Sequence, residues 1–140
     1  MDRLVVGPVD QLFSYPYYGA AVYAVANGTV VATHTGEPEQ IPSRGPERET
    51  VTIDNAGGNY IVLKLAPGRY AFYAHLQPGS LRVRTGQLVK SGQVIALLGN
   101  SGSSTLPHLH FQVMSSPSLV SKACRTHIRL VPGSGGADSD

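Results

Sequence analysis

Disulfide chemistry is the first thing this chain excludes. Its 140 residues hold one cysteine, Cys124, so no internal bridge can form, and that count is silent about compartment. Charge is also sparse, at 14% Asp, Glu, Lys and Arg with a net charge of +2, so the surface carries no strong field. No basic run with interleaved aromatic residues occurs, which argues against nucleic-acid binding. No apolar stretch approaches the ~20 residues of a membrane-spanning helix. The opening residues, Met1-Asp2-Arg3-Leu4-Val5-Val6-Gly7-Pro8, contain no apolar core of a secretory signal. A sustained 3.6-residue period is missing throughout. Histidine is absent before His34.

What is present points to short strands. Hydrophobic residues make up 41% of the chain, beside 16 glycines and 10 prolines, the composition of a globular domain with frequent turns. The length predicts one domain. Ala20–Val25 and Thr29–His34 flank Asn27-Gly28, a strong hairpin signal. Thr35–Glu49 reads as an exposed, proline-rich excursion, and Val51-Thr52-Ile53 as a resumed strand. A second hairpin is predicted from Asn59–Leu65 and Arg69–His75 across Ala66-Pro67-Gly68. Leu81–Arg84 alternates like a strand, and Val94–Leu98 is an apolar core strand. The fold class is therefore all-β, a single domain of short antiparallel strands arranged as a sandwich.

Three segments divide the chain. Residues 1–19 form an irregular segment in which Phe13, Tyr15, Tyr17 and Tyr18 surround Pro16 and pack rings on the domain edge. Residues 20–119 form the β domain. Residues 120–140 diverge: Lys122–Val131 is basic without strand periodicity, and a Gly/Ser/Asp tail follows, expected to be disordered. The abrupt change after Leu119 is what a shifted reading frame would produce, and it predicts an uncovered last sheet edge.

The chemistry concentrates between Gly99 and Val113. A Gly/Ser loop leads through Pro107 into His108-Leu109-His110-Phe111-Gln112-Val113. In an extended segment His108, His110 and Gln112 share one face, while Leu109, Phe111 and Val113 anchor the other. Imidazole serves both as zinc ligand and as proton shuttle, although two ligands alone do not make a zinc site.

The blocks Tyr73-Ala74-His75-Leu76, Gly79–Val83, Gly86–Ala96, Gly99–Gly102 and Pro107–Phe111 occur in a fixed order. That series, from about Ala20 to Val113, resembles the M23 family of zinc metallopeptidases, of the lysostaphin and LytM type. The resemblance implies the family's duplicated hybrid motif fold, one zinc ion, a peptidoglycan peptide as substrate, and an extracellular or periplasmic location. It further implies that His110 is a zinc ligand. His108 is implied to be a general base or transition-state stabiliser, and His75 a second catalytic histidine. The rings of His75, His108 and His110 should then converge within about 8 Å.

The family's other two ligands, a His and an Asp upstream of the first strands, have no counterpart. Asp10 reads as a turn aspartate, His34 as a surface residue, and His127 receives no role. Two readings remain open. One is a metalloendopeptidase truncated ahead of Met1. The other is an inactive domain that binds wall peptides or regulates a partner hydrolase. A likeness only to the related β-architectures of sugar-phosphotransfer or lipoyl-carrier modules leaves the Pro107–Phe111 block unexplained.

Overall fold

Two runs of β-branched and aromatic residues, joined by Gly68 in the left-handed conformation (φ 74°), form the hairpin on which the fold is built. Its strands are β3 (Asn59–Ala66) and β4 (Arg69–Leu76), with β1 (Ala21–Tyr23) and β2 (Gly28–His34) before them. After them come β5 (Leu88–Val89), β6 (Val94–Leu97), β7 (Leu109–Met114) and β8 (Ile128–Val131). The computed structural model describes residues 5–44 and 56–117 and the backbone of 128–131. Six strands form one sheet in the order β5-β2-β3-β4-β7-β8, and β1 pairs with β6 in a second. Every pairing is antiparallel.

Strand alternation fixes which side chains meet. Ile61, Leu63, Ala71, Tyr73, Leu109 and Phe111 point from the large sheet toward Val22, Ile95 and Ala96 of the small one, closing the main core. Val62, Phe72, Ala74 and Met114 form a smaller cluster on the other face. Full burial of the Val, Ile, Leu, Phe and Met side chains among them contributes ~1.5–3 kcal/mol each. Tyr73 is wholly buried and its hydroxyl accepts the Val25 N–H at 2.9 Å, tying the chain after β1 to the middle of the large sheet.

Four sequence expectations are corrected here. Asn27-Gly28 does not close a hairpin: β1 pairs with β6, whereas β2 pairs with β3 and β5. The turn instead carries the chain from the small sheet to the large one, with Asn27 Oδ1 accepting the Ser91 N–H. Local turn chemistry was satisfied by a neighbour distant in sequence. Leu81–Arg84 is not a strand; Val83 is buried as its alternation predicts, but the segment leans on β6 through Arg82 N–H to the Ile95 carbonyl. The excursion after His34 is exposed only in part, since Gln40 is buried and Glu39 forms a bridge with Ser101. Within the divergent segment, Ile128–Val131 pairs with β7 and covers its edge. Tertiary pairing there overrides a weak local pattern. The expected strand at Val51–Ile53, Cys124, His127 and the tail from Pro132 lie outside the described residues.

The Tyr73 hydroxyl gives a direct test of the crossover. Tyr73→Phe leaves a buried N–H unpaired and is expected to destabilise the domain by ~1–3 kcal/mol. Denaturant unfolding should show that loss, with Tyr70→Phe, at a less buried position of the same strand, as the control.

Candidate metal centre

β7 presents its residues as the sequence alternation requires. Leu109 and Phe111 are buried in the main core, while His110 and Gln112 stand half-buried on the opposite face, with His108 just ahead of the strand. Ala74 on β4 is the register partner of His110, which brings the end of β4 beside the two histidines.

Regular alternation would send His75 to the Tyr73 side, into the core. The strand pairing shifts there: Asn59 faces Leu76 and Ile61 faces Tyr73, so three steps on β4 oppose two on β3. This is a β-bulge, a device that re-aims a side chain. His75 has φ +64°, one of two non-glycine residues with positive φ among the described residues. A left-handed conformation at such a residue costs on the order of 1–3 kcal/mol, which the surrounding contacts must offset. The His75 N–H donates to the Gly57 carbonyl at 2.7 Å, and the ring turns to the histidine face. Its centroid lies 4.6 Å from that of His108 and 5.8 Å from that of His110.

Each histidine commits one nitrogen. Carbonyl oxygens only accept, so His75 Nδ1–H donates to Ser101 O at 2.7 Å and His108 Nδ1–H to Leu106 O at 2.7 Å. Ser104 Oγ lies 3.2 Å from His108 Nδ1. His110 Nε2 bonds the Gln112 amide oxygen at 3.0 Å. Nε2 of His75, Nε2 of His108 and Nδ1 of His110 therefore keep lone pairs. One ligand atom from each of the three lies within 4.8 Å of those of the other two. A neutral imidazole held by a carbonyl on its far nitrogen is the usual form of a zinc-binding histidine, so the chemistry of these donors fits zinc. Burial and the neighbouring His108 push the His75 imidazole down to about 3, against the Ser101 bond, and His110 adds to the lowering. Burial also lowers His108, opposed by the Leu106 carbonyl.

Two close backbone approaches hold this arrangement. A Cβ at Gly58 (φ +65°) would stand 2.4 Å from Ser101, and one at Gly102 (φ +78°) 2.3 Å from Gly58 N, so glycine is required at both. Ser101 Oγ accepts the Asn59 N–H at 3.0 Å and donates to Leu76 O at 2.7 Å, bracing both sides of the bulge. The Asn59 side chain joins Glu37 to Leu76. Sequence reasoning named none of Asn59, Asn100, Ser101 or Ser104 as site residues, because polar residues in a Gly/Ser-rich loop read as solvent-facing. All four are buried.

The other candidates stand apart. Asp10 pairs with Arg44 at 3.2 Å, and no carboxylate joins the three histidines among the described residues. His34 stacks on Tyr60 at 5.4 Å and bonds Glu37 at 3.0 Å. Of the front aromatics, Tyr15 is buried and Phe13 is 74% exposed.

The model of peptidase family M23 matches residues 12–122. The chain belongs to peptidase family M23. The peptidoglycan DD-endopeptidase ShyB of Vibrio cholerae serotype O1 is 42% identical over 89 residues, 63% of this chain and 20% of that protein. Among solved structures, the catalytic domain of lysostaphin from Staphylococcus simulans superposes with a TM-score of 0.53 at 29% identity, over 83% of this chain and 80% of that one. A zinc-containing peptidase from Vibrio cholerae gives 0.51 at 34% identity, over 71% of this chain and 24% of that one. The chain spans 16–23% of the length of the curated relatives it matches first. M23 membership agrees with the antiparallel all-β fold described above.

The lowered His75 yields a pH prediction for the metal-free chain. Unfolded, its imidazole titrates near 6.5; folded, at about 3. Between those values the unfolded chain binds the extra proton, so stability falls as pH drops, with a slope of at most ~1.4 kcal/mol per pH unit. His75→Asn, which tolerates the left-handed backbone, should flatten that part of the profile when unfolding free energy is measured across pH.

Proposed function

We propose that this chain is a peptide-bond hydrolase domain acting on the peptide part of peptidoglycan, with His75, His108 and His110 as its reaction centre. The observation that carries this reading is the convergence of three imidazole rings, one ligand nitrogen from each within 4.8 Å of the others, in a chain of peptidase family M23. A relative named a peptidoglycan DD-endopeptidase supports the substrate class, and a zinc-containing peptidase among the structural neighbours supports the metal.

His110 would hold zinc through Nδ1, its Nε2 being fixed by Gln112. When bound, the ion supplies a water whose pKa lies near neutrality and a Lewis acid for the scissile carbonyl. His108 keeps its Nε2 lone pair outward because Leu106 O holds the proton on Nδ1, so it can take a proton from a nucleophile as general base. His75 is oriented the same way by Ser101 O, so its Nε2 presents a lone pair that can accept a hydrogen bond from the attacking water and orient it. A working site of this kind belongs outside the cytoplasm, in the periplasm or beyond the cell.

A second reading, a domain that binds wall peptides without cutting them, is favoured by one observation. No carboxylate stands beside the histidines among the described residues. The test is incubation with purified sacculi and zinc, followed by mass analysis of released peptides. Hydrolysis predicts new peptide ends, with His108→Ala lowering kcat by roughly 10²–10⁴. Retention on sacculi with no new ends supports the binding reading and contradicts the first.

A further inference from the structure

Glu39 is a half-buried carboxylate that the chemistry above does not use, and it makes no ion pair among the described residues. Its Oε1 accepts the Asn100 N–H at 2.7 Å and its Oε2 accepts the Tyr18 hydroxyl at 2.6 Å. Gln40 N–H donates to Asn100 O, and Asn100 Nδ2 donates to Gln40 O, each at 3.0 Å. Residues 39 and 40 thus grip Asn100 by its N–H, its carbonyl and its side chain. Withdrawing a carboxylate from water is costly, so bonds to two neutral donors must offset that cost. Holding an arbitrary surface loop would not require a charge.

The gripped residue explains the placement. Asn100 is wholly buried and immediately precedes Ser101, whose carbonyl fixes the His75 proton on Nδ1. Asn100 Oδ1 accepts the hydroxyl of Ser104, which also touches Leu106 O and His108 Nδ1. Both carbonyls that set histidine tautomers therefore lie on the loop 99–106, and that loop is fastened to the preceding segment at Asn100. His110 is different, being set by Gln112 on its own strand.

We infer that Glu39 is a positioning residue: by holding Asn100 it fixes the two loop carbonyls that keep His75 and His108 in the tautomer with Nε2 bare. The inference rests on the reading of these histidines as a reaction centre, but its test does not involve peptide cleavage. Long-range nitrogen–proton correlation spectra of the full chain, recorded near neutral pH, report the tautomer of each histidine separately. In Glu39→Ala the ratio of Nδ1–H to Nε2–H forms should fall roughly fivefold at both His75 and His108, the worth of one ordinary hydrogen bond. His34 and His110 should not change. Glu39→Gln keeps an acceptor for the Asn100 N–H and should restore most of the ratio, with several-fold faster amide exchange at Asn100.

Unchanged tautomers at His75 and His108 in a folded Glu39→Ala protein overturn the inference. So does an equal shift at His34 and His110, which would signal general loosening. Where Glu39→Ala does not fold, Glu39→Met, of similar length but without an acceptor for the Asn100 N–H, is read in its place: a fall in the Nδ1–H form at His75 and His108 alone supports the inference, and unchanged tautomers overturn it. Absence of peptidase activity would touch only the proposed function and leave the tautomer result standing.

Discussion

One hydrogen bond, from His75 Nδ1 to the Ser101 carbonyl, is the contact on which the arrangement of the three histidines depends. It joins a strained strand residue to a loop that no regular pairing holds. The bulge and positive φ at His75 bring the ring to the histidine face, and the Ser101 carbonyl fixes which nitrogen is left bare. Without the bulge the imidazole would enter the core beside Tyr73. Without the carbonyl the ring could present either nitrogen. The absence of side chains at Gly58 and Gly102 lets the two backbones meet closely enough for that bond to form.

The same face carries more than histidines. His34, Tyr60, Phe72 and His110 contact in succession, with ring centroids 5.4, 5.4 and 6.0 Å apart, across β2, β3, β4 and β7. Aromatic side chains on adjacent strands are natural cross-strand partners. They form a continuous row of ring contacts that ends at His110.

Much of this was legible in the sequence, and the failures have a common cause. The β3–β4 hairpin, the buried β6 and the alternation of β7 follow from apolar periodicity, because one face of each must be withdrawn from water. The convergence of His75 with the HxH pair followed from ordered motif blocks rather than periodicity, since periodicity alone sends His75 the wrong way. Asn27-Gly28 misled because turn chemistry describes a bend and not which strands it joins. Glu39, Asn59 and Asn100 read as loop polar residues, yet they bond to backbone groups distant in sequence. Such bonds leave no local pattern to detect. Ile128–Val131 was missed for the same reason, its strand state being imposed by the open edge of β7.

The central proposal is that these three histidines make a metal-dependent hydrolytic centre, with His110 as ligand. Following imidazole nitrogen resonances while zinc is added to the full chain tests it most directly. The account predicts a large shift at His110 Nδ1 that saturates at one equivalent and is abolished in His110→Ala. His75 and His108 should be perturbed on their Nε2 atoms while their Nδ1 protons remain in place. Zinc that leaves His110 Nδ1 unshifted, or binds equally well to His110→Ala, would contradict it.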